Sequence, residues 1–331
     1  MLKKVRWWYA LLLLPFLLLI DISYFIHTSV IPREGKPVIF SLAPGTSYWD
    51  VAQQLHAQQL LTRPYYWVAI MMLEGKEGKL KIGDYRIVPG EKPLDILAQM
   101  VSGKVVLYAI TIPEGWTFAQ MTDLINRHPY LKHTVSDYAP SMIMFKLGFV
   151  EHPEGHFFPS TYYFGRWTTD KAVLVKAHQT MAEKLSTAWQ DRAPSLPYAN
   201  MEQALIVASL IEKEAAKDQD RPLIAGVILN RLKKHMFLQI DASVIYGLGN
   251  RFQGKLTRHD LMLDTPYNTY LHKGLPPTPI ALPGAASIHA ALHPAETNAL
   301  FYVARGDGTH QFSRTLQEHH RAVNKYIKSR Y

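Results

Sequence analysis

Apolar positions along this chain recur in distinct rhythms. The first is a continuous run. After Lys3, Lys4 and Arg6 come Trp7-Trp8-Tyr9-Ala10 and a leucine-rich stretch through Ile20, interrupted by Pro15 and followed by Asp21 to Ile26. From Val38 onward the rhythm shortens to strand, turn and amphipathic helix, and it appears three times. Leu42-Ala43-Pro44-Gly45 precedes Tyr48 to Ala52, Ile87-Val88-Pro89-Gly90 precedes Pro93 to Leu97, and Ile110 to Gly115 precedes Phe118 to Met121. A second helical stretch, Pro64 to Leu73, and a returning strand, Gly83 to Ile87, make the first of these a strand–helix–helix–strand unit.

Further along, Tyr130 to Phe149 reads as connecting helix, Glu154 to Tyr162 as an aromatic, turn-rich stretch, and Asp170 to Asp191 as an amphipathic helix. Arg221 to Lys234 reads as helix. Leu238-Gln239-Ile240-Asp241 and Val244-Ile245-Tyr246-Gly247 read as strand and turn. Loop-rich sequence follows through Ile280, and the chain closes with a hairpin: Ala299 to Ala304, a turn at Asp307-Gly308, and His310 to Ser313. The fold class is α+β.

The stretch around which the rest is organised runs from Asn200 to Gly247. Asn200 is placed to cap a helix, with Gln203 three residues on and no Gly or Pro before Pro222. At about 100° per residue, Val207, Leu210, Ile211 and Glu214 fall in one narrow arc, while Glu212 points roughly 160° away from Glu214. Glu214 therefore continues an apolar stripe. Desolvation there favours the protonated acid, which suits a proton donor. Glu212 is free to cap, to pair with a base or to face solvent. A glutamate at a frayed helix end reaching water fits the same periodicity.

Composition narrows the chemistry. The 331-residue chain is 48% hydrophobic, enough for a sizeable core, and its length suggests two domains. It has no cysteine, which excludes thiol catalysis, disulfides and cysteine-ligated metal sites and fits an oxidising compartment. The net charge of +9 is scattered and carries no nucleic-acid motif, so an anionic membrane or cell-wall polymer is the expected counterpart, not nucleic acid.

The basic flank and the apolar run predict a single-pass membrane anchor over 1–28, with the N-terminus cytoplasmic and the body exported. About 20 helical residues at 1.5 Å span the hydrocarbon core. A cleaved signal peptide is the alternative, but Ile26-His27-Thr28-Ser29 is a poor cleavage site. A linker at 29–37 follows, then a small module at 38–106 and a larger α+β domain at 107–331.

Several short motifs together resemble one family. Ala208-Ser209-Leu210-Ile211-Glu212-Lys213-Glu214, Asn230-Arg231-Leu232, Leu238 to Asp241, Val244 to Gly247, Pro266-Tyr267-Asn268-Thr269-Tyr270, Gly274-Leu275-Pro276-Pro277, Pro283-Gly284, His293-Pro294, Asp307 to His310 and Phe312-Ser313 are similar, in order, to the signatures of the endolytic murein transglycosylases, the YceG-like family. The βααβ module resembles LysM-type glycan-binding modules. The resemblance implies a bacterial inner-membrane enzyme with a periplasmic catalytic domain. Its expected reaction is lytic cleavage of the bond between N-acetylmuramic acid and N-acetylglucosamine within nascent peptidoglycan strands, leaving 1,6-anhydro ends and ending strand growth. It implies no cofactor and no metal. Peptidoglycan strands, the lipid bilayer and penicillin-binding protein synthases are the expected partners. It places the catalytic acid on Glu214 and marks Gln239, Asp241, Tyr246, Asn268 and Ser313 as substrate-binding candidates, to which Glu154 at the head of the aromatic stretch is added. The chain departs from the family pattern at Ser160, Thr278 and His320.

Two rivals remain open on sequence alone. His289 and His293, four apart, share a helix face and suit a metal-dependent hydrolase. A non-catalytic wall-binding scaffold would use the βααβ module as its working part.

Overall fold

The computed structural model describes residues 2–31 and 34–327, with side chains from Leu13 onward. The expected basic flank, the Trp7-Trp8-Tyr9 cluster and part of the linker, Pro32 and Arg33, lie outside the described side chains. The chain forms two compact units.

The first unit comprises the chain up to Ala109 with Tyr130–Lys132 and Tyr163–Thr168. Helix α1 covers Leu2–His27. Leu13, Leu14 and Phe16 to Ile20 are exposed along it, whereas Phe25 is buried and packs edge-on against Tyr66 at 5.8 Å. Among the described residues no helix is long and apolar enough to cross a membrane. Strand β1 (Val38–Leu42), α2 (Tyr48–Ala57), α3 (Pro64–Leu73) and β2 (Gly83–Ile87) form the expected strand–helix–helix–strand unit. β1 and β2 run antiparallel with Phe40 opposite Tyr85. Ser47 caps α2 by accepting from Asp50 N–H, and the Trp67 indole on α3 donates to the Pro93 carbonyl at 2.9 Å. Helix α4 (Pro93–Ser102) completes this core.

Strand β3 (Leu107–Thr111) leads into the second unit and α5 (Phe118–Asn126). The threefold rhythm thus holds in space, as β1–α2, β2–α4 and β3–α5. In each turn the glycine takes the left-handed conformation, with φ of 81° at Gly45, 92° at Gly90 and 73° at Gly115. That backbone geometry explains why glycine recurs at this point in all three.

The second unit continues with α6 (Pro140–Leu147), the first two residues of β4 (Thr161–Gly165, the rest of which belongs to the first unit), α7 (Asp170–Gln190), α8 (Met201–Glu214), a 3-10 turn at Asp218–Asp220, α9 (Arg221–Lys233), α10 (Asp241–Leu248), α11 (Ala285–Leu292), the hairpin β5 (Phe301–Ala304) and β6 (His310–Ser313), and α12 (Leu316–Tyr326). Asn200 caps α8 as expected, accepting from Gln203 N–H at 3.1 Å. The helix does not present a single stripe, however. Every residue from Ala204 to Ile211 is buried, so α8 is the central rod of this core, wrapped by α7, α9, α10 and α11. Ala204, Ala208 and Ser209 are small enough to let neighbours close on its remaining faces.

Leu238 to Gly247 overturns the expected strand. Ile240 precedes the first turn of helix α10, which begins at Asp241. Val244, Ile245 and Tyr246 favour a strand intrinsically, but packing against the α8 core decides the conformation. On α9, a Cβ at Gly226 would stand 2.6 Å from the Ala295 carbonyl oxygen and 2.7 Å from Thr297 Cγ2. Gly226→Ala is therefore expected to cost about 1–3 kcal/mol despite alanine's better helix propensity. A lower urea midpoint at unchanged slope would register it.

Candidate active site

Glu214 is the last residue of α8, where unsatisfied helix carbonyls disfavour a negative charge. Its side chain opens into a cleft of about 520 Å³. Burial pushes its carboxyl above the ordinary range, and the nearby Asp241 adds to that, while Tyr302 and His310 pull it back. The Tyr302 hydroxyl on β5 donates to Glu214 Oε2 at 3.0 Å, which orients the side chain and leaves Oε1 free of that bond. The phenol itself titrates far above its usual range, first because it is buried and then because Glu214 lies against it. Tyr302 thus remains a donor. Tyr302→Phe is expected to lower turnover about tenfold while costing only about 1 kcal/mol of stability, the net contribution of one hydrogen bond. Steady-state turnover beside a urea titration would check it.

Another wall comes from the start of α10 and the residues just before it. Asp241 accepts from the Tyr270 hydroxyl at 2.5 Å. Gln239 adopts a left-handed backbone, φ 51°, with its N–H donating to the Thr269 carbonyl at 3.0 Å. Arg231 on α9 holds this wall and β5 together, donating to the Leu238 carbonyl at 2.7 Å and the Leu300 carbonyl at 2.6 Å. On the remaining side, His310 on β6 donates from its backbone N–H to Asp220 Oδ2 at 2.7 Å, with its Nδ1 3.0 Å from the same oxygen.

Of the residues singled out in sequence, Glu214, Gln239 and Asp241 line this one cleft. The others lie elsewhere. Glu154 and Tyr246 bond to each other at 3.1 Å inside the protein, and Glu154 also accepts from Phe118 N–H at 2.9 Å. Asn268 is fully buried, donating to the carbonyls of Leu261 and Leu263 and accepting from Tyr270 N–H, so it shapes the loop that carries Tyr270. Ser313 lies opposite Phe301 in the hairpin and lines a separate hollow with Thr297 and Glu318. Glu212 is paired with a base: its Oε2 lies 3.3 Å from the Arg221 guanidinium and accepts from Gly284 N–H at 3.0 Å. His289 and His293 stack at 4.3 Å, and His293 turns to the Asp191 carbonyl. A larger cavity of about 750 Å³ opens at the other end of α8, where the lining carboxylate, Glu202, is bonded to His156.

Tyr302, Asp220 and the bracing role of Arg231 are not singled out by the sequence. A period-2 pattern marks Phe301 to Ala304 as strand but does not say which face of a two-stranded hairpin meets α8. Asp220 acquires its role only once the hairpin places His310 over it.

Three comparisons bear on this site. A family model described as the YceG-like family matches residues 40–325. The chain is 40% identical over 320 residues to the endolytic murein transglycosylase of Bacillus subtilis (strain 168), spanning 91% of this chain and 88% of that protein. It is 27% identical over 286 residues to the endolytic murein transglycosylase of Streptococcus pneumoniae serotype 2, spanning 76% of this chain and 51%, about half, of that one. A crystal structure of a YceG-like protein from Listeria monocytogenes, at 30% identity, superposes with a TM-score of 0.55 over 87% of this chain and 99% of the other. A match of this extent, carried by sequence and fold together, means that the chain belongs to the YceG-like family.

Proposed function

We propose that this protein cuts peptidoglycan strands internally between N-acetylmuramic acid and N-acetylglucosamine, leaving 1,6-anhydro-muramic ends. Membership of the family makes it a lytic transglycosylase acting on peptidoglycan. The observation that carries the finer reading is a single acid, Glu214, held toward its protonated form by burial at a helix C-terminus and braced by Tyr302 in an open cleft.

The reaction needs one such group. Glu214 gives its proton to the glycosidic oxygen, and the C–O bond to the leaving N-acetylglucosamine breaks. The resulting carboxylate takes the proton of the muramic 6-hydroxyl as that oxygen bonds to the anomeric carbon. The acid is regenerated, and no water is consumed. Hydrolytic glycosidases use a second carboxylate to activate water or to form a covalent bond; here an intramolecular hydroxyl supplies the nucleophile and its proximity advantage. Gln239 and Asp241, which line the same cleft, are the groups there for sugar hydroxyl and amide contacts.

The exposed apolar side chains from Leu13 to Ile20 on α1 support an anchor in the bacterial inner membrane, with the enzyme on the periplasmic side. The βααβ unit supports a LysM-like role in holding glycan. An enzyme so placed meets strands as they are made, so that its cuts end elongation near penicillin-binding protein synthases. Mass spectrometry of digested peptidoglycan tests the chemistry: internal fragments ending in 1,6-anhydro-muramic acid are expected, and reducing ends in their place would mean hydrolysis.

A further inference from the structure

The cycle above leaves a charge problem. Once Glu214 has given up its proton, a carboxylate remains at a helix C-terminus in a desolvated cleft that already holds Asp241. Each element around it can be asked for a compensating cation. Arg231 on α9 is committed to backbone carbonyls, and Tyr270 and Tyr302 are phenols pushed above their usual range by burial. From α12, His320 lines the outer cleft. His319 has a buried Nδ1 with no hydrogen-bond partner, and burial holds that ring toward its neutral form.

His310 on β6 differs from these. Asp220, 5% exposed, takes both its backbone N–H and its ring Nδ1 on one oxygen, and when protonated the ring forms an ion pair there at 3.0 Å. His310 also lines the cleft that Glu214 opens into. The ring packs edge-on against Tyr302 at 5.4 Å, beside the hydroxyl that holds Glu214.

We propose that the Asp220–His310 pair is the counter-charge of Glu214: a positioning pair that, with the ring protonated, sets a cation beside the carboxylate formed during the reaction. Preorganised charge of this kind needs no solvent rearrangement when the proton leaves. The downward pull of His310 on the Glu214 carboxyl, opposing burial and Asp241, agrees with that placement. Asp220 sits in the 3-10 turn six residues beyond Glu214, so one short stretch of chain carries both the acid and the anchor of its partner. The inference rests on Glu214 being the proton donor.

The test is the pH dependence of kcat and KM on a soluble peptidoglycan glycan oligomer, using the detergent-solubilised full chain, His310→Gln and Asp220→Asn. Glu214 works protonated, so activity falls as pH rises through its pKa, and removing a neighbouring cation raises that pKa. His310→Gln is expected to lower kcat about tenfold or more, leave KM within about twofold, and move the alkaline limb upward by about half a pH unit or more. Asp220→Asn, which keeps an acceptor for the ring, should move the limb the same way by less, and it serves if the histidine variant fails to fold. Variants that keep the parent limb, whether active or merely less stable, would overturn the proposal. A parent enzyme making reducing ends instead of anhydro ends would remove the underlying reading too, and product analysis identifies that case separately.

Discussion

Glu214→Gln is expected to abolish lytic activity, by about three orders of magnitude or more in kcat, while the protein stays folded. The glutamine carbonyl can still accept the Tyr302 hydroxyl, so the 3.0 Å contact that orients the side chain survives. What is lost is the ionisable proton. Because one residue both donates to the leaving oxygen and receives from the attacking hydroxyl, no other carboxyl in the cleft stands ready to replace it. Asp241 is the nearest in kind, but it is tied to Tyr270 across the cleft. General acid–base catalysis contributes roughly 10²–10⁴-fold per group, and two transfers through one carboxyl place this substitution at the upper end, about 4 kcal/mol or more in the barrier. Stability should not suffer, since a buried acid is replaced by a neutral amide of the same shape. Counting 1,6-anhydro ends over time, with a melting curve for each protein, is sufficient. Near-normal product from a folded Glu214→Gln protein would remove Glu214 from its role.

How much of this is legible in the sequence depends on the range of the interactions involved. The Asn200 cap and the position of Glu214 follow from contacts within a few residues, and both can be read directly. So can the strand–turn–helix rhythm, because Pro44-Gly45 and its two counterparts encode a backbone conformation locally. The α10 segment reads wrongly as strand because Val244, Ile245 and Tyr246 carry a preference that core packing overrides. The encirclement of α8 is hidden for a related reason. Ala204, Ala208 and Ser209 look neutral in a periodicity count, yet all three are buried in a helix that α11 packs against closely. Within the cleft, Gln239 and Asp241 are reached only through resemblance. Tyr302 and Asp220 escape notice, since each acts on a residue up to 90 positions away through a hairpin whose facing no local pattern specifies. Asn268 and Tyr246 show the converse: polar residues in conspicuous motifs whose hydrogen bonds are made inside the fold.

Glu154 provides the second large effect, and it is one of stability against pH. It is 3% exposed, and burial pushes its carboxyl up from 4.5 to about 7, although bonds from Phe118 N–H and the Tyr246 hydroxyl pull the other way. The sign follows from proton counting. Between those two values the folded protein keeps a proton that the unfolded chain has released, so stability is highest at the acid end and falls as pH rises toward and through about 7. At about 1.4 kcal/mol for each tenfold change in proton affinity, the full loss is about 3 kcal/mol. Glu154→Gln cannot ionise and should lack this slope. Its carbonyl still accepts from Phe118, while the amide meets the Tyr246 oxygen as a donor. Urea unfolding of both proteins at pH 5, 6, 7 and 8 is therefore expected to show the variant gaining about 2–3 kcal/mol relative to the parent across the series. Parallel stability profiles would mean that Glu154 is ionised in the fold throughout. The consequence reaches the cleft, because Tyr246 sits on α10 and the same helix begins with Asp241. Ionising Glu154 strengthens its bond from Tyr246 while placing a desolvated charge beneath that helix, so part of any alkaline loss of activity should disappear in Glu154→Gln even though the residue lies outside the cleft.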